Sequence, residues 1–232
     1  MIKILKYSFY DLIRSRWSYV YLAFYLLLGI ILLFLNNDLS KAVITLMNVI
    51  IILVPLIGTI FGVMYYYNSK EFTELLLAQP LKRSTIFLGQ YFGLALSLML
   101  SLVVGLGIPF LFYGLLNSNA IWDFSLLLVT GAFLTFIFTA LSYIIGLSNE
   151  NKIKGFGYAI LLWIFFAVIY DGVFLLSLIV FEDYPLDKLS IIGCMLNPID
   201  LSRTLILLKL DISALFGYTG LFLKNFLGHN LD

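Results

Sequence analysis

Charge is scarce in this 232-residue chain: Asp, Glu, Lys and Arg make up 12% of it, against roughly 25% in an ordinary soluble domain. No run of Lys and Arg forms the basic stripe that a nucleic acid would need. The one cysteine, Cys194, excludes an internal disulfide framework and any thiolate cluster within the chain. The one histidine, His229, lies near the C-terminal end with no cysteines beside it, so a zinc-type ligand set is lacking. Five scattered methionines, with Met195 beside Cys194, do not make a copper-binding tract. There is no Gly-x-x-x-x-Gly-Lys-Ser/Thr loop, so the chain does not itself hold ATP in the P-loop manner. Intramembrane proteolysis needs a nucleophile–base pair or paired acids within spans. Only one acid lies well inside an apolar stretch here, so no catalytic residue is assigned and no enzyme is expected.

What is present is apolar: 62% of the residues are hydrophobic. About 20 such residues cross the hydrocarbon core as a helix. Five stretches reach that length, Trp17–Leu35, Ala42–Tyr67, Ile86–Leu116, Phe124–Leu147 and Gly155–Phe181. Lipid leaves backbone polar groups no partner outside the chain, which makes helices the default, and the alternation of a membrane β-barrel is missing. The expectation is an all-α integral membrane protein forming one transmembrane domain. Residues 1–16 form an interfacial helix, 17–181 a five-span bundle, and 182–232 an external segment. The first apolar stretch is a full span without a small-residue cleavage pattern, so it does not read as a removable signal.

Lys3, Lys6, Arg14, Arg16, Lys70, Lys82, Arg83, Lys152 and Lys154 fall on one side of these spans, and the opposite loops hold only Lys41 and Lys188. The positive-inside rule therefore predicts a cytoplasmic N-terminus and a cytoplasmic 70–84 island, and Trp17, Tyr65, Tyr66, Tyr67 and Trp122 fall at span ends, where amphipathic rings prefer to lie. Ile2, Leu5, Phe9 and Leu12 share one helical face before the first span, as in a helix lying on the inner leaflet. The stretch Leu205–Leu223 is apolar but carries Lys209 and Asp211. Each costs about 2.5–3.5 kcal/mol near a helix centre, which favours an external, partly interfacial segment over a sixth crossing.

One charged island separates the second and third spans. Residues 70–84 read as a short amphipathic surface helix, with Glu71 and Glu74 near its start, Leu75, Leu76 and Leu77 as an apolar ridge, and Pro80 as its stop. Lys82 and Arg83 near its end would suit the helix dipole. The third span carries small residues at every fourth position, Gly89, Gly93, Ser97, Ser101 and Gly105, the pattern of a close helix-packing seam. Gly58 and Gly62 repeat it more weakly in the second span. Gly105, Gly107 and Pro109 are expected to loosen or kink the outer end of the third. Asp171 is the acid inside the fifth span, and both a satisfied structural contact and a transport role fit it.

The island also carries a resemblance. EFTELLLAQPLKRS at Glu71–Ser84, followed by IFLGQYFG at Ile86–Gly93, resembles the coupling region of ABC-2 type transporter permeases, although Glu71 and Phe72 stand where that family usually has a Gly-Thr pair. YDLIRSRW at Tyr10–Trp17, LVPLIGTIFG at Leu53–Gly62, YDG at Tyr170–Gly172 and LNPIDLSR at Leu196–Arg203 bring the chain nearest the branch that serves nitrous-oxide reductase maturation. The resemblance implies a homodimeric permease in the inner membrane, in contact with lipid and not with nucleic acid. Two copies of a cytoplasmic ABC ATPase would bind the ATP, with no cofactor in this chain, and a periplasmic protein would stand outside. ATPase coupling would fall to Glu71, Phe72, Thr73, Glu74, Leu75, Leu76, Leu77, Gln79, Pro80 and Arg83. Contact with the external partner would fall to Asn197, Pro198, Asp200 and Arg203. The family pattern has six spans, so a chain with five reads as C-terminally short. A secondary transporter or channel would show repeats and mid-membrane polar groups, and a membrane scaffold without an energised cycle is the other alternative.

Overall fold

A computed structural model of the chain describes residues 2–36, 38–118, 120–180 and 193–209. Among them the regular elements are helices. In chain order these are α1 (Ile2–Arg14), α2 (Arg16–Leu35), α3 (Leu39–Asn68), α4 (Lys70–Leu77), α5 (Arg83–Phe112), α6 (Ile121–Ser148), α7 (Lys152–Ile164), α8 (Tyr170–Val180) and α9 (Pro198–Lys209). A π-helical segment, Phe165–Ile169, joins α7 to α8 without interruption. Five of the helical runs are long and apolar enough to cross a membrane: α2, α3, α5, α6 and the joined run Lys152–Ser177. The fold is that of an all-α integral membrane protein. Its basic end carries α1, α4 and the α6–α7 corner, and its far end carries the α2–α3 and α5–α6 connections.

Three boundaries differ from expectation, each for a local reason. The third span stops at Phe112, not Leu116, because Gly114 takes up φ 92°, a left-handed conformation that closes the helix. That helix runs unbroken through Pro109, whose ring occupies the space left by Gly29 of α2, only 3.2 Å from where a Cβ would stand there. The island helix is eight residues long, not fifteen. Pro80 cannot continue the hydrogen-bond ladder and restricts Gln79 before it, and the chain turns there with Leu81 N bonded to Gln79 O at 2.7 Å. Lys82 and Arg83 consequently sit at the start of α5, against its dipole, and do not close α4 favourably. The third difference is the π segment, which a periodic apolar run does not announce.

The bundle holds together by close backbone approach. α3 meets α6 where Gly58 faces Phe138 and Thr139, and Gly62 faces Ser142. The Ser142 hydroxyl donates to the Gly58 carbonyl at 3.2 Å. The small residues of α5 are shared between two partners. Gly89 lies against Ile4 and Leu5 of α1, Gly93 against Leu5, Ser8 and Phe9 of α1, and Gly105 against Leu22, Tyr25 and Leu26 of α2. Ser101 donates to the Ser97 carbonyl at 3.0 Å. Ser97 borders a cavity of about 220 Å³ under the α1–α2 corner, with Leu12, Ser15 and Ser18 opposite. The face of α1 that packs is thus centred on Ser8, which is fully buried, while Ile2 is 81% exposed and takes no part. Tyr67 braces the basic end by donating its hydroxyl to the carbonyls of Asn149 (2.7 Å) and Asn151 (3.1 Å).

A methyl group added at Gly93 would stand 2.6 Å from the Ser8 Cβ and 3.1 Å from backbone atoms of α1. Overpacking of that kind costs about 1–3 kcal/mol and exceeds the roughly 1 kcal/mol by which Ala improves a helix over Gly. Gly93→Ala should lower the thermal midpoint of the detergent-purified protein by several degrees. Gly107→Ala, with no atom within 4 Å, should leave it unchanged or raise it. Equal midpoints for the two variants would show that the α1–α5 approach does not limit stability.

Candidate functional site

The helix α4 grows directly out of α3. Ser69 closes α3 and opens α4: its amide bonds back to Tyr65 O at 2.9 Å, its hydroxyl to Tyr65 O at 2.8 Å, and its carbonyl accepts the Thr73 amide at 2.9 Å. Of the eight residues of α4, only Thr73 is buried. Phe72 and Leu76 are half-buried, and the Phe72 ring stacks on Tyr7 of α1 at 4.8 Å between centroids. Glu71, Glu74 and Leu75 are exposed and lie at three- and four-residue spacing on one outward face. Leu75 is 68% exposed and Leu77 37%. Gln79 and Pro80 are exposed in the turn that follows, and Arg83 is exposed at the start of α5. Two acids beside a solvent-facing leucine offer a contact that is part charged and part apolar.

Behind this face runs a buried polar chain. The Thr73 hydroxyl donates to the Ser69 carbonyl at 2.8 Å and accepts from the Gln90 amide nitrogen at 2.9 Å. The Gln90 oxygen accepts from the Tyr143 hydroxyl at 2.7 Å. Gln90 is 0% exposed. Each group in this relay has a partner, as burial in lipid-facing helices demands. The relay links α4, α5 and α6, and the Tyr143 ring also meets Tyr66 of α3 edge-on at 5.7 Å. Sequence reading singled out Thr73 but not Gln90 or Tyr143. The available signal was a lone glutamine between Gly89 and Gly93 in an otherwise apolar span.

At the far end, Asp171 acquires its partners from a segment far along the chain. Arg203 Nη1 of α9 lies 3.1 Å from Asp171 Oδ2 and 3.4 Å from Asp200 Oδ1. Asn197 Nδ2 donates to Asp200 Oδ2 at 2.8 Å and to the Phe166 carbonyl at 2.9 Å, and lies 3.5 Å from Asp171 Oδ1. Asn197 Oδ1 also accepts the Ile199 amide at 3.0 Å, capping α9. Phe166, whose carbonyl Asn197 takes up, lies in the π segment, a kind of irregularity frequent at functional sites. Asn197 and Asp200 are buried, and Pro198 and Arg203 half-buried. The polar groups expected to face an external partner are therefore turned inward onto Asp171, because an acid in a span needs a counter-charge close by. Residues 210–223, most of the stretch weighed as a sixth crossing, lie outside the described residues. Among the described residues no group of three or more His, Cys, Asp and Glu side chains converges as a metal site would.

Burial pushes the Asp200 carboxyl up from 3.8 to about 7, helped by its hydrogen bond to Asp171 and that group's charge, and opposed by Arg203 and Asn197. The folded state thus holds this proton more tightly than the unfolded chain. The resulting stabilisation is full below about pH 4 and is lost as the pH rises through about 7. Docking of α9 should accordingly be weaker at pH 8 than at pH 5.5, read as faster amide hydrogen exchange in 198–209 after correction for the intrinsic rate. Asp200→Asn should flatten that dependence, and a slope identical to that of the unsubstituted protein would remove Asp200 as its source.

No family model matches this chain. Among curated proteins it is similar to the probable ABC transporter permease protein NosY of Stutzerimonas stutzeri, 30% identical over 134 residues, which is 56% of this chain and 49% of that protein. It is also similar to the protein of the same name from Pseudomonas aeruginosa, 28% identical over 176 residues, 71% of this chain and 62% of that protein. The matched region thus spans about half to three-fifths of the length of these relatives. With five helices among its described residues long and apolar enough to cross a membrane, and an amphipathic helix set between the second and third, the chain is similar to these curated ABC transporter permeases.

Proposed function

We propose that this chain is the permease subunit of an ABC transporter in the inner membrane, with its basic end in the cytoplasm and α4 as the docking element for a separate ATPase. The observation that carries this reading is the one-sided build of α4, with Thr73 anchored in the bundle while Glu71, Glu74 and Leu75 face outward. An apolar residue left exposed beside two acids has no role in the chain's own packing, and it fits a protein contact. ATP would be bound and hydrolysed on the partner, a NosF-like ATPase, and this chain would contribute no catalytic group.

The likeness to NosY, together with the sequence resemblance, supports a role in preparing the copper centres of nitrous-oxide reductase, with a NosD-like protein on the periplasmic side. This chain supplies no cluster of soft ligands to pass copper along a path. Mechanical transmission from ATPase to periplasmic partner is therefore the reading we favour over metal conduction. A homodimer is supported by the fifth span, Lys152–Ser177, in which only Gly155 and Ala159 are buried within the chain.

Glu74→Lys combined with Leu75→Asp reverses the charge and removes the apolar centre of the outward face without touching Thr73. Co-expression of the permease with its ATPase should show that this double variant reaches the membrane in normal amount but no longer co-purifies the ATPase. Full recovery of the ATPase with the variant would sink the docking assignment.

A further inference from the structure

The buried relay behind α4 connects more than its size suggests. α4 is attached to the rest of the molecule through its continuity with α3, through the Phe72–Tyr7 stack at the surface, and through Thr73, its single buried side chain. Gln90 spends both ends of its amide there, the nitrogen on Thr73 of α4 and the oxygen on Tyr143 of α6. Displacing α4 from α5 would leave buried donors and acceptors without partners. Such a separation is opposed far more steeply than the sliding of apolar side chains past one another. α6 then continues to the far end, where it and α3 form the surface on which α9 packs. There α9 holds Asp171 through Arg203.

We propose that Thr73, Gln90 and Tyr143 form the transmission joint of this protein, turning a displacement of α4 into a movement of α5 and α6 that is delivered to the α9 segment at the far end. This rests on the reading of α4 as the ATPase-docking helix. The three side chains are positioning residues: they touch neither nucleotide nor cargo, and they fix three helices to one another so that they move together. Without them α4 would be tied to the bundle by its Ser69 junction with α3 and the Phe72–Tyr7 stack, and a push on it would have no polar link to α5 and α6.

The chain's single cysteine, Cys194, provides the readout, since it is buried at the far end, three residues before Asn197. In membranes containing the permease with its ATPase, labelling of Cys194 by a membrane-impermeant maleimide is followed by mass spectrometry with and without ATP. The unsubstituted protein and Thr73→Ser, which keeps the hydroxyl, should both show a several-fold ATP-dependent change in labelling rate. Thr73→Val should lose that change while still co-purifying the ATPase. The triple variant Thr73→Val, Gln90→Leu, Tyr143→Phe leaves no polar group of the relay unpaired, so it should fold, and it decides the matter if Thr73→Val alone fails to accumulate. An ATP response of normal size in the triple variant would overturn the proposal, as would ATP hydrolysis by the unsubstituted complex with no change at Cys194. Loss of ATPase binding in the triple variant would overturn it as well, by assigning the relay to docking. Failure of the unsubstituted chain to bind the ATPase at all would instead overturn the docking reading on which the proposal stands.

Discussion

The backbone of α1 lies directly on the backbone of α5, and the basic end of the molecule depends on that close approach. Gly89 and Gly93 remove the side chains that would hold the two helices apart, and Ser8 sits fully buried between them. Lipid offers no hydrophobic drive for helices to pair, so tight contact and polar bonding supply the association. With α1 fixed there, Tyr7 is in place to stack on Phe72, and α4 is held between α1 on one side and Gln90 of α5 on the other. The same device recurs between α3 and α6 at Gly58 and Gly62. The bundle is thus organised around two glycine seams, with α4 suspended from one of them.

Polar groups inside this apolar chain gather at two levels, and each cluster joins segments far apart in sequence. Near the basic end the Thr73–Gln90–Tyr143 chain unites three helices. At the far end Asp171, Asn197, Asp200 and Arg203 unite the fifth span with α9. Between them, hydroxyls such as Thr135 and Thr139 bond back to carbonyls of their own helix, which satisfies them but fixes no neighbour. The clusters lock helices together at the two ends, and between them single bonds such as Tyr91 to the Phe136 carbonyl and Trp163 to the Ile52 carbonyl tie neighbouring helices.

How much of this was legible in the sequence follows from how local each feature is. The five spans are read from apolar length alone, because lipid imposes that length on any crossing helix. The seam residues of α5 are visible as spacing, but the partners that fill them are not: Ile4 and Ser8 are brought to Gly89 and Gly93 by the fold. The stop at Pro80 is readable in the island, but the restriction that Pro80 places on Gln79 ends the helix earlier, at Leu77, and leaves Lys82 and Arg83 outside it. The π segment, whose Phe166 carbonyl accepts from Asn197 31 residues away, is encoded by no periodicity within the span. Asp171 was visible as a lone acid needing a partner. Arg203 was assigned outward instead, since nothing in its own neighbourhood points back to the fifth span.

Ser69 has one more consequence. As the last cap of α3 and the first of α4, it leaves a single residue between a thirty-residue helix and an eight-residue one. No slack linker is present to take up motion. Leu75 lies about 9 Å from that junction at 1.5 Å per residue, so a load applied there acts with a turning moment about Ser69 as well as a thrust. α4 is in this sense the short arm of a bell crank whose long arm is α3. Rotation of the whole third helix about its own axis becomes available to a partner that touches only two turns of surface.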